Sequence, residues 1–177
     1  MSESIIRRRP EVTEYFEFYE GYVSSVPDGD IIAILQNQLR SSLDLLRDVP
    51  PGKIDFRYAP GKWSLKEVVG HVLDIEWTFA YRALTFARCD APPLPGVDHD
   101  EYMGRANFAA REMSGLVDEL EHLRCAGLQL FDSFDAATLD RGGVASGYPI
   151  TVRAILYIIA GHAEHHMNVL RERYLTS

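Results

Sequence analysis

Apolar residues recur at spacings of three and four in four long segments of the chain, which is the period of helices that bury one face. Asp30 stands at the start of the first segment as a helix cap, and Ser64 and Glu67 form a capping box at the start of the second. The pattern therefore predicts four helices, over about 30–47, 64–88, 114–134 and 151–174. Four such stripes are buried together in an antiparallel four-helix bundle, so we expect an all-α fold.

Segments that carry proline and glycine separate these helices, at about 50–63, 91–106 and 140–149. Their lengths predict at least one longer crossover connection between the helices. No alternation of apolar and polar residues is long enough to predict a strand. The first 29 residues are rich in aromatic side chains, and we expect them to pack along the bundle as an arm, so that 1–177 forms a single domain.

The net charge of the chain argues against two classes of binding partner, nucleic acids and anionic membranes. The chain has 18 basic and 26 acidic residues, for a net charge of −8, so its surface repels nucleic acid and anionic membranes. It has no apolar run of the roughly 20 residues that span a bilayer, and no apolar stretch typical of a signal peptide. We therefore predict a cytoplasmic protein, in which Cys89 and Cys125 are buried, reduced packing thiols.

Two histidines interrupt the apolar stripe of the fourth helix. Alternating steps of three and four from Val152 pass through apolar residues and then reach His162 and His166. These two side chains are about 40° apart around the helix and one turn apart along it, so their rings can converge on one point. Because burying an imidazole without a partner costs a few kcal/mol, the pair needs a shared ligand or hydrogen-bond partners.

His71, at the edge of the buried face of the second helix, is the third histidine that can join this pair. Three neutral imidazoles suit Zn, Ni, Fe or Cu, and three protein ligands leave coordination positions open, as in catalytic metal sites. The alternative is that each is an ordinary core histidine. His165 also has ligand spacing to His162 but lies off the stripe, and we expect His99 and His122 to be surface histidines.

Charged residues near His71 on the second helix are candidates for supporting roles. Asp74 and Glu67 lie on the same side of the helix as His71, where a carboxylate can orient an imidazole or act as a base. For Glu67 we favour the capping role, and for Asp74 a solvated helix face is an equal alternative. Arg82 is in phase with His71 and binds either an anionic group or a neighbouring acid.

The chain carries a set of short motifs along the second and fourth helices, namely Lys62-Trp63-Ser64-Leu65-Lys66-Glu67, Gly70-His71, Asp74, Glu76, Tyr81-Arg82, Gly161-His162-Ala163-Glu164-His165-His166 and Leu170-Arg171-Glu172-Arg173-Tyr174. Together these motifs resemble the DinB/YfiT-like superfamily. The resemblance implies a four-helix bundle with a divalent metal ion on a histidine triad, here His71, His162 and His166. It also implies either activation of a low-molecular-weight thiol, as in the S-transferases of that superfamily, or metal-dependent hydrolysis.

We therefore predict a metal-dependent enzyme that activates a low-molecular-weight thiol or water for reaction with a small-molecule substrate, with Asp74 as the candidate catalytic base. The alternative is a non-catalytic metal- or small-ligand-binding module of the stress response. A cavity lined by Trp63, Trp77, Tyr81 or the N-terminal tyrosines would favour a substrate, and a sealed metal would favour a structural role. We also expect a homodimer.

Overall fold

The computed structural model describes residues 8–176, so residues 1–7 of the predicted N-terminal arm and Ser177 lie outside the described residues. Within that range the chain forms seven α-helices and one hairpin. The helices are, in chain order, α1 (Glu20–Ser25), α2 (Ile31–Arg47), α3 (Leu65–Arg88), α4 (His99–Ala106), α5 (Met113–Asp132), α6 (Ala136–Leu139) and α7 (Val152–Val169). The end of α7 continues into a π-helical turn, Leu170–Tyr174.

The bundle helices begin where the sequence places their caps. The Asp30 side chain accepts hydrogen bonds from the first turn of α2, and Thr151 accepts one from the first turn of α7. At α3, the Ser64 hydroxyl accepts from the Glu67 amide while the Glu67 carboxylate accepts from the Ser64 amide. These reciprocal bonds satisfy amides that have no partner within the helix, and they fix where α3 starts.

The four long helices α2, α3, α5 and α7 form the predicted bundle. Both α2 and α3 pack mainly against α5 and α7, so α2 and α3 occupy opposite corners although they follow each other in the chain. The segment between them therefore crosses the end of the bundle. The four-helix bundle with long crossover connections is confirmed.

The first twelve residues of helix α7 are buried all around, not along one stripe. Every residue from Val152 to Ala163 is buried, because α1 covers the side of α7 that α2 and α3 leave open. This close approach requires Gly161, where a Cβ atom would lie 2.1 Å from the Tyr22 carbonyl oxygen. The N-terminal segment is thus packed directly against the part of α7 that carries His162.

One buried polar network touches all four bundle helices. Arg124 of α5 forms an ion pair with Glu76 of α3, with Nη2 and Oε2 2.8 Å apart, and both side chains are at least 95% buried. Arg124 also donates to the Gln38 side-chain oxygen of α2 at 3.1 Å, and the Gln38 amide nitrogen donates to the Ala160 carbonyl of α7 at 2.8 Å. These bonds fix the mutual register of the helices around the charged pair.

Two elements fall where the sequence predicts loops. Strands β1 (Gly142–Ala145) and β2 (Tyr148–Thr151) pair antiparallel in the segment predicted as the loop 140–149, and α4 lies in the segment predicted as the loop 91–106. The strands are four residues long, too short for an alternation to show. Their turn at Ser146 and Gly147 has positive φ at both residues, as favoured hairpin turns require.

The prediction that Cys89 and Cys125 are buried packing thiols is wrong, because both are exposed and unpaired. Cys89 ends α3 at its C-cap, outside the apolar stripe. Among the described residues, none of the helices has both the length and the apolar composition needed to cross a membrane.

Candidate metal centre

His71, His162 and His166 converge at the interface between α3 and α7. Each offers one ring nitrogen to a group in which all ligand atoms lie within 4.8 Å of one another, and the Nε2 atoms of His71 and His162 are 3.1 Å apart. The ring centroids are separated by 4.5 to 5.0 Å in all three pairs. The structure therefore brings together the three histidines that the helical spacing selects.

The local fold explains this convergence. The capping box at Ser64 sets the start of α3 and hence the rotation at which His71 faces α7. His162 and His166 are four residues apart on α7, so their rings stack along one side of the helix. Trp63 packs against the His71 ring at 4.9 Å, and Tyr22 of α1 packs against the His162 ring at 5.5 Å. These aromatic contacts limit the rotation of the imidazoles.

Burial keeps the three imidazoles neutral. Desolvation, with a smaller contribution from the neighbouring His99 and His165, lowers the pKa of His71 to about 4. The same cause, followed by repulsion from His71, lowers the pKa of His166 to about 3, and burial lowers the pKa of His162 well below its usual value. Neutral imidazole is the form that binds metal ions, so the triad is ready to bind a cation at neutral pH.

The donor set fits a transition-metal ion. Two imidazole nitrogens that bind one ion tetrahedrally at about 2.0–2.1 Å lie about 3.3 Å apart, close to the 3.1 Å between His71 and His162. Nδ1 of His166 is buried and has no hydrogen-bond partner among the described residues. Three converging imidazole donors are typical of sites for Zn, Ni or Fe, and a divalent ion would satisfy them together.

The low pKa values predict how stability depends on pH. Between about pH 6.5 and pH 4 the unfolded chain protonates His71 and His166 while the folded chain does not. The free energy of unfolding of the metal-free protein should therefore fall as pH falls through this window, by up to about 1.4 kcal/mol per pH unit for each histidine. Urea unfolding at pH 7 and pH 5 measures the slope.

The control for this prediction is the exposed His122 on α5. His166→Asn should make the dependence of unfolding free energy on pH shallower, by the contribution of that one histidine, whereas His122→Asn should leave it as in the wild type. Equal slopes in both variants would show that the triad does not titrate as its burial requires.

A cavity of about 240 Å³ opens beside the triad. Its walls are mainly apolar and aromatic, and they include two exposed residues, Phe18 and His99, so the cavity reaches the surface. The remaining lining residues are Tyr19, Tyr22, Trp63, Ile75, Phe79, Arg82, Val97, Ser146 and Ile158, together with the three histidines. A second cavity of about 390 Å³ shares Trp63 and His166 with the first, so the triad is approached from two sides.

The predicted base, Asp74, faces a different part of the molecule. It lines a separate cavity with Glu101, Tyr102, Arg105 and Ala106, in which none of the triad histidines takes part. Burial, followed by repulsion from Glu119, raises its pKa. This placement does not support proton transfer at the triad, and the catalytic role of Asp74 stays a prediction. Glu67 occupies the capping box and also accepts from Arg57, which leaves it no role at the triad.

Two residues that line the triad cavity were not selected from the sequence for this role. His99, expected as an ordinary surface histidine, is exposed but packs its ring 5.1 Å from that of His71. It begins α4, a helix that the sequence pattern did not predict, so its position could not be predicted either. Ser146 reaches the cavity through the turn of the hairpin, which was also missed.

Some of the other residues named in the sequence analysis line the cavity, and the rest lie on the surface. Trp63 and the N-terminal Tyr19 and Tyr22 line the cavity, as the substrate-binding alternative requires. Trp77 and Tyr81 are more than half exposed and lie outside it. His122 is exposed, as expected, and His165, which lies off the apolar stripe, is exposed as well. His165 packs its ring against those of Tyr22 and His166, and it is not one of the three converging nitrogens.

Comparison with known proteins agrees with this architecture. YfiT from Bacillus subtilis, described as a probable metal-dependent hydrolase with an unusual four-helix bundle topology, superposes with a TM-score of 0.74 at 18% sequence identity. The alignment covers 97% of this chain and 94% of YfiT, and at that identity it shows the fold. No curated protein matches the sequence. A family model described as the DinB superfamily matches residues 34–170, which span all four bundle helices and the triad, and the chain therefore belongs to the DinB superfamily.

Proposed function

We propose that this protein is a metal-dependent enzyme that binds one divalent ion on His71, His162 and His166 and acts on a small molecule in the adjoining cavity. One observation carries the proposal: three neutral imidazoles, those of His71 and His162 buried and that of His166 half-buried, converge beside a cavity that reaches the surface. A purely structural site is usually closed by four protein ligands, whereas three ligands next to a cavity leave room for a reactant.

A bound divalent ion would supply Lewis-acid activation of a nucleophile, which is water or a low-molecular-weight thiol. Residues of the chain itself position the imidazoles, exclude water and accept the proton. Trp63 and Tyr22 hold the imidazole rings in place and, with Phe79, exclude bulk water from the cavity. His99 lies at the cavity wall within 5.1 Å of the His71 ring and is the titratable side chain best placed to accept a proton from a nucleophile.

Hydrolysis is the first candidate reaction, supported by the description of the structurally similar YfiT. Thiol transfer is the second, and a specific observation favours it. Two cavities meet at Trp63 and His166, so two separate reactants can approach the triad from different sides. Among the described residues that line the first cavity there is no carboxylate, so a thiol there meets no competing negative charge from them.

The non-catalytic alternative, a metal- or ligand-binding module, makes a different prediction about the cavity. An ion held only for storage or structure needs no access for a second molecule. Here the aromatic walls offer contact area to an organic molecule of about the size of one ring with a short chain. The cavity thus favours a substrate over simple storage.

The test begins with protein purified without added metal, its metal content measured, and the chain then loaded separately with Zn, Ni and Fe(II). Each form is assayed with aryl esters and amides for hydrolysis, and with cellular thiols plus a chloro-aromatic or epoxide acceptor for transfer. We expect one loaded form to turn over one of these classes. His162→Ala should abolish that turnover, whereas His165→Ala should retain it, since the His165 ring is exposed and outside the triad.

Stoichiometric metal on the triad without turnover in any class would contradict the catalytic proposal and support the binding module. Turnover that survives in the His162→Ala variant would show that the activity does not depend on the triad.

A further inference from the structure

Arg82 is a buried cation without a carboxylate partner. Its side chain is 3% exposed, and its Nη2 donates to the Pro95 carbonyl at 2.8 Å and to the Ser146 hydroxyl at 3.1 Å. The guanidinium also stands over the Phe79 ring, 5.1 Å from its centroid. In the part of the chain that the structure describes, no acidic side chain forms an ion pair with it, and its hydrogen bonds to the protein are made by Nη2.

The buried arginines elsewhere in the protein behave differently. Arg124 is paired with Glu76, and Arg153 is paired with Asp140 at 2.6 Å. A guanidinium has five N–H donors in a fixed fork that matches a carboxylate, and leaving such a group buried without a counter-charge is costly. Arg82 is therefore the buried arginine, among the described residues, that needs an anion from outside the chain.

Arg82 lines the same cavity as the triad. It is the one lining residue with a permanent positive charge, and no aspartate or glutamate is among the described lining residues. The protein as a whole carries a net charge of −8, so a cavity free of acidic groups is not an effect of general composition. The cavity is electrostatically prepared for a molecule that bears a negative group.

The position of Arg82 also indicates how that molecule lies in the cavity. Arg82 is eleven residues after His71 on α3, which corresponds to about 16 Å along the helix axis. Helical side chains point toward the N-terminus of their helix, and the contact with Phe79 shows that the Arg82 side chain does so. Ile75, Phe79 and Ile158 line the same cavity. The guanidinium and the triad are thus separate polar parts of one cavity whose walls are otherwise mainly apolar and aromatic.

We infer that Arg82 binds the carboxylate of a mainly apolar substrate whose reacting group lies at the triad. This inference rests on the proposed function for the identity of the reacting end, but the carboxylate site itself depends only on Arg82 and the cavity. Arg82 acts as a specificity-determining residue: it binds the end of the substrate that does not react, and so selects monoanionic molecules over neutral ones of the same shape.

A purely structural role for Arg82 is the competing explanation. Its Nη2 joins the Pro95 carbonyl to the hairpin turn at Ser146, a junction that backbone bonds between Leu94 and the hairpin also hold. A structural clamp would affect stability in any variant but would not distinguish a carboxylate from a neutral amide. The difference in affinity between a carboxylate and a neutral amide therefore separates the two explanations.

The probes are 4-phenylbutyrate and its neutral isostere 4-phenylbutanamide, titrated calorimetrically into the full-length purified protein. We expect the carboxylate to bind the wild type at least about tenfold more tightly than the amide. Arg82→Gln should remove this preference, and Arg82→Lys, which keeps the charge but not the fork, should retain part of it. Arg141→Gln is the matched control, since Arg141 also donates to a carbonyl, that of Ala87, but lies outside the cavity.

His162→Ala separates this inference from the proposed function. The carboxylate preference should persist in that variant, even though its triad is incomplete. A preference that disappears in His162→Ala and persists in Arg82→Gln would place the carboxylate at the triad and overturn the inference while leaving the proposed function intact. Equal affinity of the wild type for both probes would overturn the inference about Arg82 without any variant. Unchanged metal content in His162→Ala would count against the proposed function alone.

Discussion

Replacing His162 with alanine is expected to lower the affinity for Zn²⁺ by at least about a hundredfold, because the most deeply placed of the three converging imidazoles is lost. Two ligands on an open cavity wall do not hold the ion against water. Competition with a chromophoric chelator measures the affinity. The matched control is His165→Ala, which removes an exposed imidazole of the same helix from outside the triad.

The control should keep wild-type affinity within about twofold. Equal loss in the two variants would mean that the ion is held by the outer histidines, or that the whole end of α7 responds to any substitution. A weaker effect of His162→Ala than of His165→Ala would contradict the assignment of the triad.

The second large effect concerns stability. Glu76→Ala should lower the free energy of unfolding by about 3–5 kcal/mol, because it leaves the guanidinium of Arg124 buried without its counter-charge. The loss also removes the anchor of the network that joins α2, α5 and α7 through Gln38. Urea denaturation at pH 7 measures the change.

A surface pair between α2 and α5 provides the comparison. Arg47 and Glu121 form an ion pair in which both side chains are substantially exposed, so Glu121→Ala should cost less than about 1 kcal/mol. Similar losses for Glu76→Ala and Glu121→Ala would show that the buried network does not organise the bundle.

Most of what positions the triad could be predicted from the sequence, because it depends on local rules. The caps at Asp30 and Ser64 fix helix starts, and the helical period places His162 and His166 on one side of α7. The interruption of an apolar stripe by two histidines was itself the signal, since a buried imidazole requires a partner. His71 could be added to the pair because it lies at the edge of the apolar stripe of the facing helix, α3.

The surroundings of the triad could not be predicted in the same way, because they come from short or irregular segments. Helix α4, which carries His99, has no buried residue and therefore no apolar stripe. The hairpin that brings Ser146 to the cavity needs Gly142 and Gly143 where a Cβ would collide with Ile150 and Phe86, a requirement of packing and not of pattern. Asp74 shares a helix side with His71, but α4 encloses it in another cavity.

The fold and the family membership do not identify a reaction for the protein. Membership of the DinB superfamily establishes the bundle, whereas the nucleophile, the substrate and the homodimer stay predictions, as does the cytoplasmic location. The exposed Trp77, Tyr81 and Leu84 recur along one side of α3, and sedimentation at micromolar concentration would test whether two copies associate.

X-ray absorption spectroscopy of the purified protein at the edge of its bound metal tests directly whether the triad holds a metal ion. We expect one divalent ion per chain with three imidazole nitrogens at about 2.0–2.1 Å, and loss of the imidazole scattering in His162→Ala. The remaining coordination positions should be filled by exchangeable ligands that bind through oxygen or nitrogen, such as water. A spectrum with four or more protein ligands, with sulfur from Cys89 or Cys125, or unchanged in His162→Ala would contradict the account.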